Sequence, residues 1–392
     1  MGLVDKSSRK DAKNARNLKF YNSIVMKVSD IIHFLDTVAP PSLQESYDNV
    51  GLLVGDAESN CSGVICCLDV TDAILDESLE KGCNLIVAHH PLIFDSIKQI
   101  NANEQTGRLI IKAIQHNISI YAIHTNLDNV LEGVNGKMAA LLGLTQCSVL
   151  LPKPGALKKL ITFIPLAQVE QVRAALFFAG AGQIGQYDEC SFSCIGEGTF
   201  KAAVGATPYV GETGVRHTES EVKLELIYPF YLESNLLNAL KSAHPYQEVA
   251  YDLIPLSNAY QGVGAGVIGE LSAPQNAAQF LRRVSEVFKS PLVRYTNLLD
   301  KPIQKVALCG GAGGFLINAA LCAGAQAFIT ADLKYHDFFK ATGKLVLADI
   351  GHFESEQFTI DLLQERLAEK FPTFAVLKAS VSTNPVNYLW HK

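Results

Sequence analysis

The sequence predicts an α/β protein: two similar three-layer halves that form one metal-binding unit, with a ferredoxin-like α+β domain inserted between them. Three observations carry this expectation. Short runs rich in Val and Ile alternate with helix-like segments. Those runs are apolar throughout, as in strands buried on both faces of a sheet between helix layers. The runs also fall into two matching sets, separated by a stretch of different character.

The first set offers strands at Val64–Val70, Asn84–Ala88 and Ile118–Ile123, and the second at Lys305–Cys309, Ala327–Thr330 and Leu345–Ile350. Aligning Val64 with Val306 places Gly82 on Gly324 and His90 on Asp332. A diverged duplication of a β-α-β unit explains the shared order. From Leu157 to Tyr260 the pattern changes to strand (Lys159–Ile164), helix (Leu166–Ala179), a polar Gly-rich stretch, strand (Glu221–Tyr228), helix (Leu232–Ala243) and strand (Glu248–Ile254). One further strand within 181–220 would complete a β-α-β-β-α-β module. Pro152, Pro154 and Gly155 mark its entry, and the glycines of QGVGAGVIG its exit. The expected division is therefore a disordered extension at 1–25, a first half at 26–155, the inserted domain at 156–262 and a second half at 263–392.

Composition narrows the class. Of 392 residues, 48% are apolar and only 18% charged, which favours extensive burial or an oligomer. The net charge of -6 gives no global attraction for nucleic acid. No apolar run has the roughly 18 residues that a membrane span needs. The nine cysteines include no CxxC and sit mostly in apolar runs such as VICCLDV, so buried thiols in a reducing, cytoplasmic setting are expected. The first 25 residues carry Lys6, Arg9, Lys10, Lys13, Arg16 and Lys19 without a signal-peptide core, which reads as an extension ahead of Met26.

The chemistry concentrates where strands end. AHHPLIF puts His89 and His90 at the end of one buried strand, and Pro91 stops that strand. HTNLDN follows another strand, with His124 and Asp128 four apart, and GHFESE follows a third, with His352 and Glu356 four apart. On a helical turn such pairs face the same way. Ligands bind at the carboxyl ends of strands in α/β sheets. Each pair alone could be a solvated helix start, its carboxylate set against the helix dipole. Three His-bearing strand ends among only ten histidines favour a metal. Imidazole with carboxylate suits zinc, iron, manganese or nickel. Asp332, Lys334 and His336 in TADLKYHD follow one more strand and are expected to flank the cleft. The CGGAGG turn (Cys309–Gly314) matches neither dinucleotide nor Walker pattern, leaving a tight βα turn or a phosphate cradle.

Taken in order, AHHPLIF, HTNLD, TADLKYHD and GHFESE resemble the motifs of the NIF-three-like family, the GTP cyclohydrolase I type 2 homologues. SYDNVGLLVGD (Ser46–Asp56) resembles its early motif, with Tyr47 where the family commonly has Trp. AHPYQEVAYDLIPL (Ala243–Leu256) resembles the PII- or CutA-like insertion of its longer members, with Gln247 in place of an acidic residue. The resemblance implies two divalent metal ions held by His89, His90, Asp128, His352 and Glu356, with Glu356 as the bridge and His124 nearby. It also implies a homohexamer built from trimers.

Two functions fit. One is a metal-dependent hydrolase of a nucleotide-like or phosphate-bearing small molecule, with His124 or His336 transferring protons and Asp332 and Lys334 as supporting groups. GTP cyclohydrolysis and phosphoester hydrolysis are its specific versions. The other is a non-catalytic regulatory or metal-handling oligomer whose inserted domain senses a ligand. Turnover that depends on metal separates them.

Overall fold

A computed structural model describes residues 26–341 and 343–389, so the expected extension at 1–25 lies outside the described residues. The chain is a mixed α/β protein with three sheets. The first sheet runs, in spatial order, Gly51–Val54, Ser119–Ala122, Leu85–Ala88, Val64–Cys67 and Val376–Lys378. The last four strands are parallel, and Gly51–Val54 is an antiparallel edge. The three central strands are buried at every position. Their alternate residues therefore face two different helix layers. Val64 and Cys66 pack on one side with Ile31 and Leu35 of helix Val28–Val38 and Leu363 and Leu367 of helix Thr359–Lys370. Ile65 and Cys67 pack on the other with Ile74 of helix Asp72–Glu80 and Leu109 of helix Gln105–Gln115.

The second sheet runs Arg294–Tyr295, Val346–Asp349, Ala327–Ala331, Ile303–Ala312, Gly264–Gln275 and Thr145–Pro152. Its three middle-lying strands Val346–Asp349, Ala327–Ala331 and Ile303–Ala312 are parallel. Val306 and Leu308 meet Phe280 and Val284 of helix Ala277–Val287, while Ala307 and Cys309 meet Ile317 and Ala320 of helix Ile317–Cys322. All six strands expected from the sequence are present, with ends moved by a few residues. Hydrogen-bonded pairing sets those ends, and apolar runs overshoot it.

Sheet membership cuts across the boundaries drawn on the sequence. Thr145–Pro152, ahead of the middle segment, belongs to the second sheet, and Val376–Lys378 returns to the first, pairing Val376 with Val64. A short strand is recruited by whichever sheet edge needs a partner, and that edge cannot be seen in a linear pattern.

The middle segment follows the order strand Leu157–Pro165, helix Val169–Phe178, strand Phe192–Lys201, strand Arg216–Pro229, helix Glu233–Ala243 and strand Tyr251–Pro255. These strands form the third, antiparallel sheet. Its core, including Leu160, Ile164, Val172, Leu176, Leu224, Leu226, Leu236 and Leu240, is a cluster of its own. Among the described residues no helix is long and apolar enough to cross a membrane.

Entry to and exit from the middle segment lie side by side: Pro152 pairs with Gly264, and Lys153 N–H donates to the Val263 carbonyl at 3.0 Å. Replacing the residues between Gly155 and Gly262 with a short Gly/Ser linker should therefore leave a soluble chain with one cooperative thermal transition. Insoluble protein, or loss of cooperativity, would show that the segment is integral to the outer sheets.

Candidate metal centre

His89 and His90 extend the strand Leu85–Ala88 beyond its paired core, and their amides still bond back to Cys67 O (3.1 Å) and Leu68 O (2.9 Å). His124 follows Ser119–Ala122 and leads into the turn Thr125–Asp128. His352 and Glu356 occupy a single helical turn, His352–Glu356, after strand Val346–Asp349. That turn is entered through Gly351 at φ +93°, where an added Cβ would lie 2.2 Å from Glu354 Oε2. Glycine is the residue that fits there.

These strand ends, from two different sheets, meet at one point. His90 Nε2 lies 3.0 Å from Glu356 Oε2, His352 Nε2 lies 3.0 Å from the same oxygen, and the two Nε2 atoms are 3.4 Å apart. His89 Nε2 is 3.7 Å from Asp128 Oδ1 and 4.0 Å from Glu356 Oε1. The rings of His89, His90 and His124 stack edge-on or tilted, with centroids 5.0–5.4 Å apart. Two groups could each hold an ion: His89 with His90 and His124, and His90 with His352 and Glu356.

Each histidine is held from behind. His89 Nδ1 donates to the Ile123 carbonyl at 2.9 Å, His90 Nδ1 to Asp69 at 2.7 Å, His124 Nδ1 to Asp48 at 2.8 Å and His352 Nδ1 to Asp332 at 2.6 Å. A carboxylate or carbonyl can only accept, so each Nδ1 carries the proton. For His89, His90 and His352 the Nε2 is thereby turned toward the carboxylates. This is how metal-binding histidines are usually oriented. Asp332 adopts φ +55°, a left-handed conformation that a non-glycine residue keeps only where its surroundings hold it.

Of the five buried side-chain atoms with no hydrogen-bond partner among the described residues, two, His89 Nε2 and Asp128 Oδ1, lie in this cluster and face each other at 3.7 Å. Each such orphan costs on the order of 1–3 kcal/mol, so a missing partner is implied. A divalent cation fits the donor set and would answer both atoms together. The charges agree. Burial lowers His89 to a pKa of about 3, keeping it a neutral ligand. Burial, with Glu356 beside it, raises Asp128 well above the usual carboxylate range. Burial pulls His90 and His352 down, but their bonds to Asp69 or Asp332 and to Glu356 prevail and carry them to about 9 and about 11. Burial pushes Glu356 up, yet the hydrogen bonds from His352 and His90 hold it well below its ordinary value. Two protonated imidazoles thus stand in for positive charge around one buried carboxylate.

Of the flanking residues expected from TADLKYHD, only Asp332 reaches the cluster. Lys334 is exposed, and His336 is exposed with its ring 5.2 Å from Tyr335 and 6.1 Å from Phe339. Neither lines the two cavities that open onto the cluster. One, about 700 Å³, reaches His124, Asp128, His352 and Glu356 past Tyr47, Lys153 and Phe315. The other, about 450 Å³, reaches His90 and His352 past Asp69, Arg294 and Tyr388. The helix after Ala327–Ala331 begins only at Asp337, so Lys334 and His336 sit on the outward arc of the intervening turn. The orienting residues Asp48 and Asp69 were not singled out from sequence. Asp69 lies just past its strand in CCLDV, a position whose acidic residue is the one available signal.

The CGGAGG turn is not a phosphate cradle. Gly310 N–H donates to Asn135, Gly311 N–H to Ser355 and Gly313 N–H to Thr330, so these amides are occupied. Its glycines make room instead: at Gly311 (φ +59°) an added Cβ would lie 2.4 Å from Glu356 Oε1.

A layered α/β chain that gathers four carboxylate- or carbonyl-braced histidines, a buried Glu356 and a half-buried Asp128 at its strand ends is, by class, a protein with a candidate histidine–carboxylate metal centre. The family model described as Duf34/NIF3 (NGG1p interacting factor 3) matches residues 26–385, and the chain belongs to that family. It is 37% identical to a Halalkalibacterium halodurans protein named GTP cyclohydrolase 1 type 2 homolog, covering 93% of this chain and 100% of that one. A Bacillus subtilis protein of the same name is 36% identical, covering 92% and 98%. The crystal structure of a Bacillus cereus protein related to NIF3 superposes with a TM-score of 0.80 at 35% identity, covering 94% of this chain and 100% of that one.

Two outcomes follow from this geometry. Gly311→Ala should cost about 1 kcal/mol for the left-handed backbone and should reduce metal uptake by displacing Glu356. A fall in melting temperature with unchanged metal content would show that Glu356 is not crowded. The pH response of chelated protein is also fixed in sign. His90 and His352 are raised, so their contribution is full below about pH 6.5 and fades as pH rises through about 9 and about 11. His89 is depressed, so its contribution is present above about pH 6.5 and lost toward about 3. Metal binding displaces protons, so the gap in melting temperature between metal-loaded and chelated protein should widen from pH 6 to pH 9. A gap that narrows over this range contradicts the assignment.

Proposed function

We propose that the chain is a dinuclear divalent-metal protein that hydrolyses a nucleotide-like or phosphate-bearing small molecule in the cytoplasm. The observation that carries this reading is the pair of buried orphans, His89 Nε2 and Asp128 Oδ1, beside two histidine groups that share His90. His89, His90, Asp128, His352 and Glu356 would hold two ions of zinc, iron, manganese or nickel type, with Glu356 between them. Bound metal would supply an activated water and a counter-charge for an oxygen of the substrate.

The chain's own residues do the rest. His124 is braced by Asp48 at the mouth of the larger cavity, where it can hold or pass a proton. That cavity's volume of about 700 Å³ suits a ligand of nucleotide size. Tyr47 and Phe315, both largely exposed, offer ring faces for a heterocycle. The name shared by the relatives, GTP cyclohydrolase 1 type 2 homolog, supports a nucleotide-like substrate class. A homohexamer built from trimers, as the resemblance implies, and two diverged halves with a PII/CutA-like ferredoxin fold between them complete this reading. The matching parallel strands of the first two sheets and the element order of the third support it.

A second reading is favoured by one feature. The middle module has a cavity of its own, about 710 Å³, bordered by Phe200, Tyr209, Glu221 and Tyr246. That suits a ligand-sensing, non-catalytic role.

Metal-reconstituted protein screened against nucleotides and phosphoesters should turn over at least one of them, and chelator should abolish the reaction. Glu356→Ala should lose metal by elemental analysis while its secondary structure persists, since Asp128 is then the one carboxylate left in the proposed set to offset the repulsion between two cations. Unchanged metal content in that variant would remove Glu356 from the site. Metal-bound protein that is inert across the screen would favour the sensing role.

A further inference from the structure

His90 and His124 are braced by the same three-residue device. In one, Thr125 Oγ donates to Asp48 Oδ2 while Asp48 Oδ1 accepts from His124 Nδ1. In the other, Thr383 Oγ donates to Asp69 Oδ2 at 2.7 Å while Asp69 Oδ1 accepts from His90 Nδ1 at 2.7 Å. The difference lies in where the threonine comes from. Thr125 follows His124 directly and also donates its backbone N–H to Asp48 at 3.0 Å. Thr383 belongs to the C-terminal segment, hundreds of residues from Asp69, and reaches it through its hydroxyl.

That segment is tied down along its length by buried or half-buried acids. Glu77 accepts from the Ser380 amide at 2.9 Å and the Ser380 hydroxyl at 2.7 Å. Glu354, the central residue of the His352–Glu356 turn, accepts from Asn384 at 3.4 Å and from the Tyr388 hydroxyl at 3.2 Å. Asn384 and Tyr388 line the smaller cavity beside His90 and His352. The segment thus crosses from the first sheet's helices to the second sheet's metal turn, and Thr383 touches the one carboxylate that orients the histidine common to both metal groups.

We propose that Thr383 is a positioning residue for the metal centre: its hydroxyl fixes Asp69, Asp69 fixes His90, and seating of the C-terminal segment thereby sets metal affinity. A carboxylate with one oxygen unsecured can rotate about its terminal bond, and His90 then loses the brace that aims Nε2 at Glu356. The inference rests on the metal reading given above. It adds that a group with no contact to metal or substrate, on a surface segment, controls occupancy.

The test is a cobalt titration of full-length protein, against a competing chelator, in wild type, Thr383→Val and Thr383→Ser. Valine keeps the shape and removes the donor, while serine keeps the donor. Thr383→Val should weaken uptake by up to about 10-fold, the low end of the 10–100-fold that loss of a ligand's direct partner such as Asp69 costs, and should alter the visible spectrum of the bound cobalt. Thr383→Ser should restore both. Melting curves of the three metal-free proteins establish that each is folded. Wild-type affinity in Thr383→Val, or a loss that serine does not restore, overturns the proposal. A wild-type chain that takes up no cobalt overturns the metal reading itself, and the relay with it.

Discussion

The structure turns on one electrostatic constraint: a half-buried Asp128 and a buried Glu356 share the floor of a cavity with a neutral, fully buried His89. Glu356 stays ionised because His90 and His352 bring it two protons, whereas Asp128 has no such donor and is driven toward its neutral form. An arrangement that leaves His89 Nε2 and Asp128 Oδ1 without partners would be selected against in an ordinary core. A site that expects a cation explains it, because one charge then satisfies acceptors that hydrogen bonds within the chain do not reach.

Much of the surrounding fold can be understood as support for that point. Strand ends deliver the clustered histidines and acids, since a strand buried on both faces has nowhere else to place a polar side chain. The two sheets are held in register across the site by chain crossings: Thr145–Pro152 joins the second sheet before the middle module begins, and Val376–Lys378 returns to the first. Glycines are used where backbone must approach the acids. Gly311 clears Glu356, and Gly351 lets the His352–Glu356 turn start beside Glu354. Larger residues at either position would move a carboxylate before they moved a sheet.

Several of these features were legible in the sequence, and for physical reasons. Continuous apolar runs revealed the buried strands, and His-bearing sequences directly after them revealed the cluster, because a polar residue following a fully apolar strand must leave the core. The order of elements in the middle segment was likewise readable, including a strand expected somewhere within 181–220 and found at Phe192–Lys201. What stayed hidden depends on three-dimensional neighbours. Asp48 and Asp69 look like any acids near a turn, and only packing shows them behind His124 and His90. Thr383 meets Asp69 across almost the whole chain. Lys334 and His336 share a motif with Asp332 but face away from the cluster, since a turn sends successive side chains in different directions. CGGAGG as a sequence is compatible with phosphate, but in the fold the amides of Gly310, Gly311 and Gly313 bond to Asn135, Ser355 and Thr330.

The central claim is that these residues form a metal centre rather than a chance gathering of histidines. Anomalous diffraction settles it most directly. Crystals of protein purified without chelator, measured on both sides of the absorption edges of zinc, iron, manganese and nickel, should show anomalous density between His90, His352 and Glu356 and between His89 and Asp128. Well-ordered side chains at these positions with no anomalous peak, in protein soaked with each of those ions, would contradict the account.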